Sequence, residues 1–153
     1  GKIFFCHGYN INGVMLQLSD DLKSVSVVWR TDVLDTHHGG YVEVNGTIYG
    51  SNWINNNQGN WCAIDWNTGA KGYETTWTGG KGKGSIIAAD GMLYCYDERR
   101  GAVALVNPDP AKFDIVSEFR ITKGVGPHWA HPVIVNGVLY IRHGFALMAY
   151  KVK

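Results

Sequence analysis

Much that would point to a function is missing from this sequence. No apolar run approaches the roughly 18 residues of a membrane-crossing helix, so no membrane span is expected. Neither charge dominates. Fourteen Lys and Arg stand against thirteen Asp and Glu, a net of +1, which supplies no electrostatic footprint for nucleic acid or for an anionic membrane surface. Cysteine is sparse and odd in number. Cys6, Cys62 and Cys95 show no CxxC spacing, so neither a disulfide framework nor a zinc ribbon is indicated, and the compartment stays open. Each lies in a strand-like run and reads as a buried thiol. Only four prolines occur, and 45% of the residues are apolar, which rules out a disordered or collagen-like chain. No segment carries a 3.6-residue apolar period, so helices should be scarce. The chain opens at Gly1 without a leader pattern, as expected of a piece of a longer chain or of one whose leader is gone.

What is present repeats. "VNGTIYG" at 44–50 is followed by "ADGMLYC" at 89–95 and "VNGVLYI" at 135–141. Gly46, Gly91 and Gly137 are 45 and 46 residues apart, and counting back 45 from Gly46 reaches Gly1 of "GKIFF". Asn-Gly and Asp-Gly tolerate the positive φ angles of a tight hairpin turn. The clearest unit reads "GGYVEV", Asn45-Gly46, "TIYGSNW", a loop, "NWCAIDW", Asn67-Thr68-Gly69, "GYETTW". Four strands recurring every 45 residues or so are the signature of a β-propeller blade. The fold expected is therefore all-β, built of β-propeller blades of four antiparallel strands lettered A (inner) to D (outer). The chain holds about 3.4 such blades, with parts near 1–34, 35–79, 80–123 and 124–153. The first part supplies B, C and D, and the last supplies A, B and C. Such an arc leaves strand edges open at both ends, which points to a fragment of a longer propeller or to self-association through the open edges. The fragment is the favoured expectation, because Gly1 falls inside a hairpin turn.

"AIDWNTGAKGY", residues 63–73, resembles the repeat of the quinoprotein-like (PQQ-type repeat) β-propeller superfamily. Ala63, Asp65, Thr68 and Gly69 match its pattern, and Tyr73 stands where that repeat has a docking tryptophan. "ALVNPDPAKF" keeps the strand and loses the Thr-Gly turn. The resemblance extends over essentially the whole chain. It takes in quinone-dependent alcohol dehydrogenases and cofactor-free relatives such as the propeller lipoprotein of outer-membrane assembly. It therefore implies the fold, and a periplasmic or extracytoplasmic setting, more strongly than any chemistry.

Aligning the repeats on their hairpin glycines groups the polar residues. Nine before the glycine stand His37, Gly82 and His128; eight before it stand His38, Lys83 and Trp129; six before it stand Gly40, Ser85 and His131. Six after it stand His7, Asn52, Asp97 and His143, with Trp53 next to Asn52. All six histidines thus fall at the start of strand A or the end of strand B. Those two ends share one face of a propeller near its axis. The residues His7, His37, His38, Asn52, Trp53, Lys83, Asp97, His128, Trp129, His131 and His143 are accordingly expected to form a collar at one channel mouth. The collar would bind a small polar ligand or a protein partner; its plainer role is to cap strand ends. No HExxH or short His-x-His spacing marks a metal. "TGGKGKGS", 78–85, lacks Walker spacing and a following helix, so it reads as a D-to-A connection. Trp29, Trp77 and Phe119 are expected between blades, and Tyr49, Tyr94 and Tyr140 in the core. The function indicated is a non-catalytic binding or scaffolding propeller. The alternatives are a quinone-dependent alcohol dehydrogenase and a glycan-binding propeller. The enzyme would hold PQQ with calcium and use Asp97, Asn52 and Trp53, but the adjacent-cysteine pair of such enzymes is absent.

Overall fold

The structure is a computed structural model that describes residues 1–152. Among these there is no α-helix, and hence none long and apolar enough to cross a membrane. Fourteen strands form four antiparallel sheets, each ordered as in the chain. The first sheet holds β1 (Lys2–His7), β2 (Asn12–Leu18) and β3 (Val25–Thr31). The second holds β4 (Tyr41–Val44), β5 (Thr47–Ser51), β6 (Trp61–Asp65) and β7 (Lys71–Thr75). The third holds β8 (Gly84–Ala89), β9 (Met92–Asp97), β10 (Ala102–Asn107) and β11 (Asp114–Arg120). The fourth holds β12 (Val133–Val135), β13 (Val138–His143) and β14 (Ala146–Lys151). Four radially repeated sheets make this a partial β-propeller.

The local chemistry explains the strands. Asn45, Asp90 and Asn136 adopt φ of 52°, 51° and 51°, and each is followed by a glycine between 73° and 79°. That is the left-handed pair of a two-residue hairpin, and its twist matches the flanking strands. At the Asp65 turn, Oδ1 accepts from the amides of Asn67 and Thr68 and from the Thr68 hydroxyl, at 2.8–2.9 Å. The Asp-x-x-Thr-Gly signature therefore encodes a self-satisfied loop. A bulge interrupts the pairing of the last two strands in each of the first three sheets, at Met15/Leu16, Ala63/Ile64 and Leu105/Val106. Each bulge adds twist at an equivalent place.

Apolar residues lie between sheets. Phe4, Met15, Leu34, Ile48, Cys62 and Ile64 fill the space between the first and second. Tyr49, Trp61, Trp77, Ile86, Leu93 and Cys95 fill the second gap, and Tyr94, Tyr96, Val103, Leu139 and Ile141 the third. Strand β5 is buried on both faces: Ile48 points to the first gap and Tyr49 to the second. Trp29 packs on Phe4 and donates to the carbonyl of Trp66; Trp77 contacts Phe113, and Phe119 contacts Tyr150. Cys62 and Cys95 are buried and Cys6 half-buried, all unpaired. Tyr140 departs from the core expectation. It is exposed because it shares with Val133, Val135 and Leu147 the face of the fourth sheet that no further sheet covers. Ile3, Phe5 and Val27 lie on the corresponding face of the first.

Candidate functional site

Three connections between sheets, residues 32–40, 76–83 and 121–132, deliver the ends of β4, β8 and β12 to one mouth, where β1, β5, β9 and β13 also finish. A buried ion pair anchors this region. Lys83 Nζ lies 2.7 Å from Glu98 Oε1 and donates to the carbonyls of Asn55 and Asn56 at 3.1 Å, so its three protons are all engaged. Glu98 Oε2 lies 2.7 Å from His38 Nε2. Side-chain exposure is 3% for Lys83 and 5% for Glu98. Burial works against the Glu98 carboxylate, but hydrogen bonds from His38 and Lys83 outweigh it and hold the carboxyl below the usual range.

The second and fourth sheets meet here across the third. His131 Nε2 donates to the carbonyl of His38 at 2.9 Å, and Trp129 packs edge-on to the His38 ring at 5.4 Å. Beside them His37 Nε2 lies 2.9 Å from the hydroxyl of Tyr9, whose ring packs on His37 at 5.0 Å and on Trp53 at 4.8 Å. Burial and the adjacent His38 lower His37, which favours the neutral ring. The ring of His7 lies 6.0 Å from that of Tyr9, and its Nδ1 faces the carbonyl of Gly8. His37 Nδ1 and Trp53 Nε1 are enclosed without a hydrogen-bond partner.

His128 and His143 form a separate stacked pair, with centroids 3.7 Å apart and planes at 20°. The Tyr96 hydroxyl bonds to His128 Nδ1. His143 faces two carbonyls, Lys123 at 2.8 Å from Nδ1 and Gly126 at 2.7 Å from Nε2. Carbonyls only accept, so both bonds form together only when both ring nitrogens carry hydrogen. Burial, and then the neighbouring His143, lower His128 to about 4. An unfolded histidine binds its proton near 6.5, so between the two values the unfolded chain holds the extra proton. Stability from this group is therefore complete above about 6.5 and is lost as pH falls toward about 4. Urea denaturation across that range should show the decline, and His128→Asn should flatten it. The His128 ring-proton resonance should titrate near 4 rather than in the ordinary histidine range.

Asn52 and Asp97 share the collar registers but engage their own loops. Asn52 donates to the carbonyl of Val33 and to Glu74, and accepts from the amide of Asn60 at 2.7 Å. Asp97 Oδ2 caps the amides of Arg99 and Arg100, while Oδ1 lies enclosed against Gly80 and Gly82. Burial raises its carboxyl. Three participants were not among the sequence-derived residues: Tyr9, Glu98 and Asp35. Asp35 accepts from the amides of Trp53 and Asn10 and so holds two collar loops together. A lysine at a strand start facing the core was the available signal for Glu98, since a buried ammonium requires a counter-charge. Among the described residues no three His, Cys, Asp or Glu side chains converge to hold a metal ion.

No protein-family model matches the chain, and no curated protein does. Solved structures do match. Among them is the crystal structure of BamB from Moraxella catarrhalis, which aligns with 96% of this chain at a TM-score of 0.63 and 14% identity. The fold is a β-propeller like that of this structure. This chain spans about half of that propeller, 48% of its length.

Proposed function

We propose that this chain is a non-catalytic binding propeller whose collar contacts a protein partner or a small polar ligand. The observation that carries the reading is the meeting of rings from non-adjacent sheets at one mouth, with Trp129 and Tyr9 left 57% and 50% exposed. Exposed aromatics beside imidazoles combine contact area with polar edges, a composition typical of recognition surfaces.

The same side chains are poorly suited to chemistry. Lys83 has no free proton position, the Ser85 hydroxyl is sealed in the core, and burial pushes Cys6 up to about 11. Nor do they fit a quinone with calcium. The Asn52 amide is engaged by Val33, Glu74 and Asn60, and one Asp97 oxygen is engaged by backbone amides while the other lies against glycines. Trp53 already packs on Tyr9. The extracytoplasmic setting implied by the repeat resemblance belongs to the same proposal.

The test is a thermal-shift screen of peptides and small polar compounds on the chain and on Tyr9→Ala/Trp129→Ala. Both positions are exposed, so the double variant should keep its fold and its melting temperature. Compounds that stabilise the parent chain should no longer stabilise the variant. Ligands that bind both equally, or that are chemically converted, would refute the proposal.

A further inference from the structure

Outside the collar, on the same end of the molecule, a cleft of about 440 Å³ opens between residues 52–60 of the second sheet and residues 76–83 leading to the third. Its walls are Gln58, Asn60, Thr76 and Thr78, with Ile54 on one side and Lys81 and Arg99 at the rim. That volume is in the range of small-ligand sites.

The cleft is built by the glycine-rich stretch that reads in sequence as a plain connection. Lys81 sits at φ 73° and donates its amide to the carbonyl of Trp77 at 2.8 Å, which turns its side chain to the rim. Gly82 lets the Arg99 stem lie across it, for a Cβ there would approach Arg99 Cγ to 3.0 Å. Gly59 is wedged more tightly: its Cβ would fall 2.1 Å from the Asn52 carbonyl oxygen and 2.7 Å from Lys83 Cβ. Arg99 gives Nη1 to the carbonyl of Asn57 at 3.0 Å, and its remaining N–H groups have no protein acceptor among the described residues.

The charges here are one-sided. No carboxylate lines the cleft. Lys81, Arg99, Arg100 and Arg120 crowd this end of the third sheet, and among the described residues none is in a salt bridge. Of the nearby acids, Glu98 is held by Lys83 and His38, Glu118 by the indole of Trp77 and Glu74 by Asn52 and Asn60, while Asp97, capped by backbone amides, lies behind Gly82 and is attracted by Arg99. The two rim cations, neither in a salt bridge among the described residues, favour a planar anion, which a guanidinium meets in bidentate fashion. The amide and hydroxyl walls favour neighbouring hydroxyl groups, and Ile54 offers a surface for an aliphatic ring.

We propose that this cleft binds a small polyhydroxy carboxylate, a sugar acid, with the carboxylate on Arg99 and Lys81 and the hydroxyls toward Gln58, Thr76 and Thr78. The site is distinct from the collar. The probe is D-glucuronate, titrated at low salt into the isotopically labelled chain, with D-glucose and acetate as separate arms. Glucuronate should give saturable shifts at the amides of residues 58–60, 76–81 and 99. Glucose should give none, and acetate should bind more weakly. Lys81→Met/Arg99→Met, both exposed, should stay folded by circular dichroism and bind glucuronate at least about tenfold more weakly. Raising the salt should weaken the parent's binding, as rim charges are screened. Absence of saturable shifts, unchanged binding in the double variant, or acetate or glucose binding as tightly as glucuronate would each overturn the proposal. Tyr9→Ala/Trp129→Ala should bind glucuronate like the parent, so the two sites stand or fall separately.

Discussion

Glu98→Ala is expected to destabilise the chain by about 3–5 kcal/mol, because it leaves the buried Lys83 ammonium without its counter-charge. The two carbonyls that also hold Lys83 cannot neutralise it, and the lysine must either stay charged in an apolar setting or lose its proton. Urea denaturation at pH 7 gives the number. Lys83→Met combined with Glu98→Leu removes both charges and should recover most of the loss, which separates an orphaned charge from lost packing. The pH dependence follows from direction. A carboxyl lowered on folding stabilises the fold above its unfolded value, near 4.3, and this contribution disappears as pH falls through the lower folded value. The Glu98 effect should thus set in on the acid side of the His128 effect, and Glu98→Gln should remove it.

The second large effect is expected at Gly39. A Cβ there would lie 1.8 Å from the carbonyl oxygen of Gly84 and 2.5 Å from its carbon. Neither atom can swing aside. Gly84 is itself fixed, its amide and carbonyl both bonded to the Ser51 hydroxyl at 3.0 Å, and Gly39 in turn accepts from the amide of Ile86. Here the segment leading into β4 lies directly against the first residue of β8. Gly39→Ala must push those sheets apart and should cost about 3 kcal/mol or more, seen in denaturation or as failure to give folded protein. Gly46→Asn is the control: its surroundings are open and asparagine tolerates its φ of 79°, so the change should stay within about 1 kcal/mol.

Both positions show what could be read from residues alone. Turns and strands were legible because their causes are local. Asn45-Gly46, Asp90-Gly91 and Asn136-Gly137 each dictate a hairpin without help from elsewhere, and the interval between them gives the order of sheets. The expectation of a collar rests on registers, since a repeat returns equivalent positions to equal radius. Side-chain direction was not legible. Asn52 and Asp97 occupy the same register as His7 and His143, and all four turn to backbone amides or carbonyls of nearby loops. Glu98 and Tyr9 lie one and two residues beyond the aligned positions, in loops where the period breaks, so no repeat argument could select them. Gly39 looked like one glycine among twenty, because close approach between two backbones depends on sheets that are distant in sequence.

The bond from His131 to the carbonyl of His38 has a geometric consequence. Curvature in an arc of stacked plates normally accumulates from one pairwise contact to the next, and every small misfit is carried forward. A link from the connection before the fourth plate to the connection before the second runs as a chord past the third, and the third plate joins it at the same residue, since Glu98 also holds His38.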